Sequence, residues 1–475
     1  MTATLPDVAS APGRLPIFGH MHRMLAEPRR FFESLRDQGD IVAIGLGPAR
    51  AYVINNPTWV HQILTKDVRK LDKGIQYEKA APFLGNGLLN STEPIHMAHR
   101  RLMQPAFHMA QIAGHADQMR EVAEQRASAW RDGQVVEFDQ EIHTFAVAVV
   151  CRALFSSDLG DTVAVVVEES FPVLLKGVAR RIALPVGWLE KLPTPANRRF
   201  ERARRRLDEA LMSVITQYRE RGAKDGDLMA ILLAARAGGD HPGLTDQQIH
   251  DEAMALFLAG VETSRDVLSW ACHLISRHPE IQRRLATEVD TVLADRSLDH
   301  TALADLVYLR QVLSEALRLY PPGWLLSRRT VTELELGEHR IPPGCNVLFS
   351  LHAIQRDPAV YTQPDVFDPD RWASDGAAAI PRTSFLPFGA GNRSCIGEPF
   401  AWAEMMIFMA VVIARWTLHP TPGYKVRPSR STMLQPKRVP LIVESRRPAG
   451  RAEPWPSHHG FITIQQRLIT KRTCT

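Results

Sequence analysis

Five cysteines occur in the chain, and only Cys395 has a local sequence arranged around it. It stands in FLPFGAGNRSCIGEPF (385–400), behind a glycine-rich run, two residues after an arginine, and at the entry of an apolar helical pattern. The partial positive charge of a helix amino terminus near residues 397–399 favours an anionic sulfur, and the glycines leave backbone N–H groups free to point at it. Such a thiolate is a good ligand for heme iron, where it pushes electron density toward bound oxygen so that the O–O bond can break.

A second constellation lies in AGVETS (259–264). Thr245 and Gln248 have capping-box spacing, and the helix they open is expected to run to about Arg277, before His278 and Pro279. Roughly 33 residues at about 1.5 Å each span on the order of 50 Å, the width of a large domain. Its apolar stripe is Ile249, Ala253, Leu256, Gly260, Thr263, Val267, Trp270 and Leu274. Gly260 and Thr263 interrupt that stripe with a gap and a hydroxyl, and two readings follow. In the first, two helices cross at the glycine and Thr263 bonds back to a carbonyl one turn earlier. In the second, a small ligand approaches the backbone at Gly260 while Glu262 and Thr263 pass protons to it, which is oxygen chemistry.

In LSEALRLYPP, Glu315 and Arg318 lie one helical turn apart and can pair; on a surface such a pair contributes little. The prolines behind them place the helix end in the interior. Trp324, in YPPGWLLSRR, follows two prolines and a glycine and so belongs to a turn. It is either a wall of an apolar ligand pocket or a core tryptophan under a small sheet.

The elements that must position these groups are mainly helical. Helical patterns cover 95–129, 137–156, 199–221, 245–277, 279–294, 302–320 and 398–415. Residues 28–57 read as a helix and two short strands split by a Gly-Pro turn, and 329–350 has a hairpin-and-turn pattern. No repeat period and no linker divides the chain. The expectation is one large, mainly α domain over residues 1–447, with a long central helix and small β-sheets. Residues 448–475 differ in composition and are expected to be a loosely attached tail.

Composition excludes several classes. The 475 residues are 45% hydrophobic and 23% charged, with 57 basic against 52 acidic side chains, so the +5 net charge is not a nucleic-acid-binding signature. The densest basic run, RRFERARRR (198–206), is a solvated helix face or a docking patch for an acidic protein. An odd number of widely spaced cysteines indicates neither a disulfide framework nor a zinc site and fits a reducing cytoplasmic interior. The amino terminus does not read as a signal peptide, and no apolar run reaches the roughly 18 residues of a membrane span. GAGNRS (389–394) has Ser394 where a dinucleotide fingerprint has its third glycine, and no βαβ pattern surrounds it.

Taken together, these motifs resemble the cytochrome P-450 family of heme-thiolate monooxygenases. Phe388, Gly391, Arg393, Cys395 and Gly397 match its heme-binding loop, AGVETS its oxygen-activating helix, and Glu315 with Arg318 its E-x-x-R pair. FDPDRW (367–372) is similar to the segment whose arginine, here Arg371, completes that structural triad. The likeness runs from PGRLPIFGH near the start to RVPLIV near 443. It implies heme b as cofactor, with Cys395 as the iron ligand and His96, Arg100, Arg328 and Arg393 as partners of the two heme propionates. Arg329 is the alternative to Arg328. Two carboxylates inside a protein need such cationic donors whatever the family.

The resemblance also implies a function. One oxygen atom of O2 is inserted into an apolar small molecule, with Thr263 and Glu262 delivering protons. The chain has no flavin or iron–sulfur module, so a ferredoxin and its reductase are the expected electron donors to a soluble, monomeric, cytoplasmic enzyme. LPTPANRRF and HRRLMQPAFH look similar to bacterial members that oxidise sesquiterpenes in natural-product pathways. A polyketide, macrolactam or fatty acid substrate, and epoxidation or multi-step oxidation, stay open. A heme protein that only binds or senses ligands would keep Cys395 yet have no need of the acid and alcohol, and a peroxide-driven relative would be free to lose them. Their presence favours the monooxygenase.

Overall fold

In the computed structural model, the described residues are 8–446 apart from 48, 156, 184–191, 222–227, 235–243 and 430–432. The expected tail, residues 448–475, and Cys474 lie outside them. Most of the described chain is helical, with three sheets of six, three and two strands.

The central helix begins where the capping box places it. Thr245 Oγ1 accepts the Gln248 N–H at 3.2 Å and the Gln248 side chain accepts the Thr245 N–H at 2.8 Å. It runs as an α-helix over Asp246–Phe257, widens to one π turn over Leu258–Glu262, and resumes as Thr263–Ser276. The wide turn thus falls on the AGVE segment that sequence had singled out. The helix Phe138–Leu154 crosses there. A Cβ on Gly260 would lie 2.8 Å from Val150 Cγ2, so the missing side chain makes room for a packed helix.

The helix Glu398–Arg415 enters through Pro399 in its first turn and is buried from Trp402 to Ile413. It packs with Thr263–Ser276 and Val307–Leu319 in one apolar cluster, and a second cluster joins Phe138–Leu154, Ser157–Ala183, Pro195–Arg221 and Asp246–Phe257. Ser157–Ala183 was not expected from sequence, because Gly160 and Pro172 interrupt its pattern. The pattern over 95–129 is two helices, Ile95–Met103 and Met109–Ser128, parted at Pro105 by a 3-10 turn.

The largest sheet has the order Ala9–Ser10, Ile41–Leu46, Ala49–Ile54, Asn346–Ser350, Leu325–Thr330, Leu71–Lys73. Ile41–Leu46 and Ala49–Ile54 form the expected antiparallel pair, with Leu46 opposite Ala49 and Gly47 turning at φ 62°. At the other edge Lys73 is in register with Arg328. Among the described residues no helix is long and apolar enough to cross a membrane.

Candidate functional site

The loop before Glu398–Arg415 is a tight hairpin that aims one sulfur. The Cys395 N–H donates to the Phe388 carbonyl at 2.8 Å, and the Ser394 N–H to Gly391 at 3.0 Å. Gly389 and Gly391 turn at φ 72° and 69°. A Cβ on Gly391 would stand 2.2 Å from the Leu64 carbonyl oxygen, so no other residue fits. Gly397 lies beside the sulfur, a Cβ built on it standing 4.0 Å from Cys395 Sγ. Phe388, half-buried, packs its ring 5.9 Å from that of Trp402.

Cys395 is exposed, whereas the described cysteines Cys151, Cys272 and Cys345 are buried. Yet the sulfur lies so deep that burial pushes its thiol up to about 11. Exposed to a small probe yet surrounded by protein, it has the setting of a recess rather than of an outer surface. The central helix also has an open stretch in its middle. Ala259 is exposed and Leu256, Gly260 and Thr263 are half-buried, while the stripe is buried at Ile249, Ala253, Val267 and Trp270.

Cations gather at one side of this recess. His96 and Arg100 come from Ile95–Met103, Arg328 from its strand, and Arg393 from the cysteine loop. Arg393 donates to the Ser91 carbonyl at 2.9 Å and lies 3.6 Å from Glu93, which also holds His96 Nδ1 at 3.0 Å. Burial and then the Arg328 charge push Arg393 below its ordinary value, and burial and then Arg393 push His96 down to about 4. Lys73, facing Arg328 across the strand pair, is held well below the ordinary lysine value by burial, Arg328 and Arg393. Sequence reasoning missed Lys73, because a single lysine at a strand end carries no signal. Arg329, the alternative to Arg328, points the other way and pairs with Glu78 at 2.7 Å. Arg100 binds the cysteine loop through the Ser394 carbonyl at 2.7 Å.

Burial, and after it the charges of Arg328 and Arg393 on Lys73 and of Arg328 on Arg393, hold Lys73 and Arg393 below their ordinary values, and the nearby carboxylates, Asp72 and Glu93, do not offset this. A group bearing two carboxylates would reverse that balance. With an accessible sulfur at a helix amino terminus, the residues present fit heme.

The Glu315–Arg318 pair is fully buried rather than at a surface. Arg318 Nε and one terminal nitrogen each reach a Glu315 oxygen at 2.8 Å. Its other nitrogen donates to the Gln355 and Pro364 carbonyls at 2.9 and 2.7 Å. Glu315 also takes the Trp372 indole N–H at 2.9 Å, the Asp368 N–H at 3.1 Å and Arg371 Nε at 3.5 Å. Gln355 continues the chain of bonds, accepting the Leu386 N–H at 3.2 Å and donating to Leu317 and Arg318 carbonyls. A bonded path therefore links this helix to the start of the cysteine loop.

On the central helix, the Thr263 hydroxyl donates to the Ala259 carbonyl at 2.5 Å, which is the back-bond of the first reading. Glu262 is fully buried on another face, with Oε2 taking Arg265 at 2.8 Å and Gln435 at 3.0 Å. Burial raises its carboxyl above the ordinary value.

At two positions the packing reading is the one the structure displays. Trp324 is 6% exposed and packs edge-on to Phe32 at 5.8 Å, in a cluster with Phe31, Leu35, Val53 and Leu348. The turn after Pro322 swings its ring under the sheet. Gly260 serves the crossing at Val150, and Ala259 is the more exposed residue. The π turn rotates the register of the stripe, which a period of 3.6 does not anticipate.

The sequence model of the family described as Cytochrome P450 matches residues 10–443. Cyclooctatin synthase of Streptomyces melanosporofaciens is 40% identical over 438 residues, covering 92% of this chain and 95% of that protein. Pentalenene oxygenase of Streptomyces avermitilis is 38% identical over 441 residues, 92% of this chain and 98% of that one. Cyclooctat-9-en-7-ol 5-monooxygenase of Streptomyces melanosporofaciens is 36% identical over 437 residues, 92% and 95% of the two chains. Among solved structures, the heme domain of cytochrome P450DA and the retinoic acid-bound cyanobacterial CYP120A1 each superpose with a TM-score of 0.83 at 24% identity. Each superposition covers 93% of this chain, with 98% and 100% of the respective partner. At that identity they speak for the fold alone.

Proposed function

This chain belongs to the cytochrome P450 family, and on that premise we propose that Cys395 binds the heme iron and that the enzyme inserts one oxygen atom of O2 into a terpenoid. The observation that carries the reading is the exposed Cys395 sulfur at the amino terminus of Glu398–Arg415, with Gly397 beside it and the other described cysteines buried. When bound, the heme supplies the iron at which O2 is reduced and one oxygen atom is transferred.

The chain's own residues do the rest. The backbone at Gly397 and the amino terminus of Glu398–Arg415 stabilise negative charge on the sulfur against the burial that keeps the free thiol protonated, and would favour the thiolate as an iron ligand. Arg328, Arg393, Lys73 and His96 would hold the propionates, while Arg100 fixes the Ser394 carbonyl beside the ligand. The Thr263 hydroxyl, oriented by its bond to Ala259, keeps its oxygen free to accept a hydrogen bond from a species bound beside it. Glu262 is the acid next to it. The Glu315–Arg318–Arg371 network keeps the cysteine loop rigid.

A ferredoxin and its reductase supply the electrons to a monomeric, cytoplasmic enzyme in this reading. The terpenoid assignment is supported by the relatives, one of which carries pentalenene in its name and another an alkenol, cyclooctat-9-en-7-ol. It is tested by titrating the holoenzyme with cyclic terpene alkenes and alcohols, polyketides, macrolactams and fatty acids, following the heme absorption. A terpene should shift the spectrum at the lowest concentration and be oxygenated on turnover. Tightest response to a fatty acid or a macrolactam would replace the terpenoid assignment without touching the family.

A further inference from the structure

Glu262 has a neighbour that the proposed function leaves unused. His143, on the helix Phe138–Leu154, directs Nδ1 toward Glu262 Oε1 at 3.6 Å, just beyond a hydrogen bond. Both are buried, and neither that carboxylate oxygen nor either imidazole nitrogen has a hydrogen-bond partner among the described residues. Buried polar atoms without partners are costly, and such a pair facing one another calls for an explanation.

The surroundings supply one. Three carboxylates meet here: Glu262 and Asp266 from the central helix, and Asp139 one turn before His143 on its own helix. Arg265 binds the first two at 2.8 and 3.1 Å. Asp139 is occupied by the Val439 N–H at 2.8 Å, and Gln435 completes the ring by donating to Glu262. One guanidinium facing two buried carboxylates and the half-buried Asp139 is too little positive charge, so the cluster favours holding protons. Burial raises Glu262 and Asp139, pushes Asp266 up to about 8, and pushes His143 down to about 4, leaving the imidazole neutral.

We propose that His143 is the proton donor that recharges Glu262, extending the supply of the acid–alcohol pair into the helix Phe138–Leu154. This rests on Glu262 and Thr263 acting as the proton-delivering pair. In the step, a solvent proton carried as hydronium binds Nε2 and leaves water behind, the Nδ1–H bond breaks as an O–H bond forms at Glu262 Oε1, and the imidazole ends neutral with its hydrogen on Nε2. Loss of the Nε2 proton to solvent and uptake of one at Nδ1 then restore the starting tautomer, and neither nitrogen has a hydrogen-bond partner among the described residues that would hold one tautomer. A static ion pair would instead hold His143 cationic and in contact.

The test uses holoenzyme reduced through a ferredoxin and its reductase, and measures the share of consumed O2 that leaves as hydrogen peroxide. His143→Phe should raise that share several-fold while the carbon monoxide spectrum of a thiolate-bound heme is kept. His143→Gln, which fills the space but carries no transferable proton, should behave like His143→Phe, and His143→Glu should restore coupling. Histidine-selective nitrogen-15 NMR of the reduced carbon monoxide complex should show the signal lost in His143→Phe to be a neutral imidazole at pH 7. An unchanged peroxide share in His143→Phe, full coupling in His143→Gln, or a cationic His143 would each overturn the relay. Loss of the thiolate spectrum in the parent enzyme would instead remove the proposed function.

Discussion

Replacing Glu404 by glutamine should make the protein increasingly more stable than its parent as pH rises. Glu404 lies in the middle of Glu398–Arg415, fully buried, and receives the Ser264 hydroxyl from the central helix; its second oxygen has no partner among the described residues. Burial pushes its carboxyl from 4.5 up to about 8. Because the folded value is raised, the favourable contribution of the bound proton is fully present below pH 4.5 and is lost as pH rises toward 8. Integrated from about pH 5 to pH 8, that loss is about 3 kcal/mol, at about 1.36 kcal/mol per unit. Glutamine keeps the shape and an acceptor for Ser264 but has no such titration. With an unfolding entropy of about 2.1 cal/mol/K per residue, the gap between the two melting midpoints should widen by about 3 °C over that range. Thermal melts of both holoenzymes in matched buffers measure it directly, and the titration of Asp266, common to both, cancels. A gap that stayed constant, or narrowed toward pH 8, would refute a neutral Glu404.

Three further outcomes follow from the site. Thr263→Ala should retain heme and ligand-induced spectral shifts while sending a larger share of electrons to hydrogen peroxide; full coupling would reduce the hydroxyl to its bond with Ala259. Arg328→Gln should lose heme readily to apomyoglobin whereas Arg329→Gln should not, since Arg328 faces Lys73 and Arg393 and Arg329 pairs with Glu78; equal loss rates would contradict that division. Glu315→Gln leaves Arg318 buried without its counter-charge and should cost about 3–5 kcal/mol in urea denaturation; an unchanged midpoint would show the network to be dispensable.

Local chemistry was the legible part of the fold. Thr245 and Gln248 mark the start of the central helix, Pro399 the entry of the helix behind Cys395, and Gly47 the turn of the first hairpin, because each rests on a bond or a dihedral within a few residues. Ser157–Ala183 was not legible, since Pro172 is tolerated only where tertiary packing supports the helix on both sides. In the site, the glycines around Cys395 could be read because a loop that must turn at positive φ requires them. Lys73 could not, because its meaning lies in Arg328 and Arg393, more than 250 positions away. The direction of Trp324 was not legible for the same reason: a turn residue's direction is set by what it packs on, here Phe32. The burial of Glu315 and Arg318 likewise depends on the distant carbonyls of Gln355 and Pro364.

The most direct test of the account is the absorption spectrum of the reduced protein under carbon monoxide, compared between the parent chain and Cys395→Ala. The parent should show the strongly red-shifted band of a thiolate-bound heme, and Cys395→Ala should lose that band. The same band surviving in Cys395→Ala would place the iron on another cysteine and contradict the site from which the function was argued.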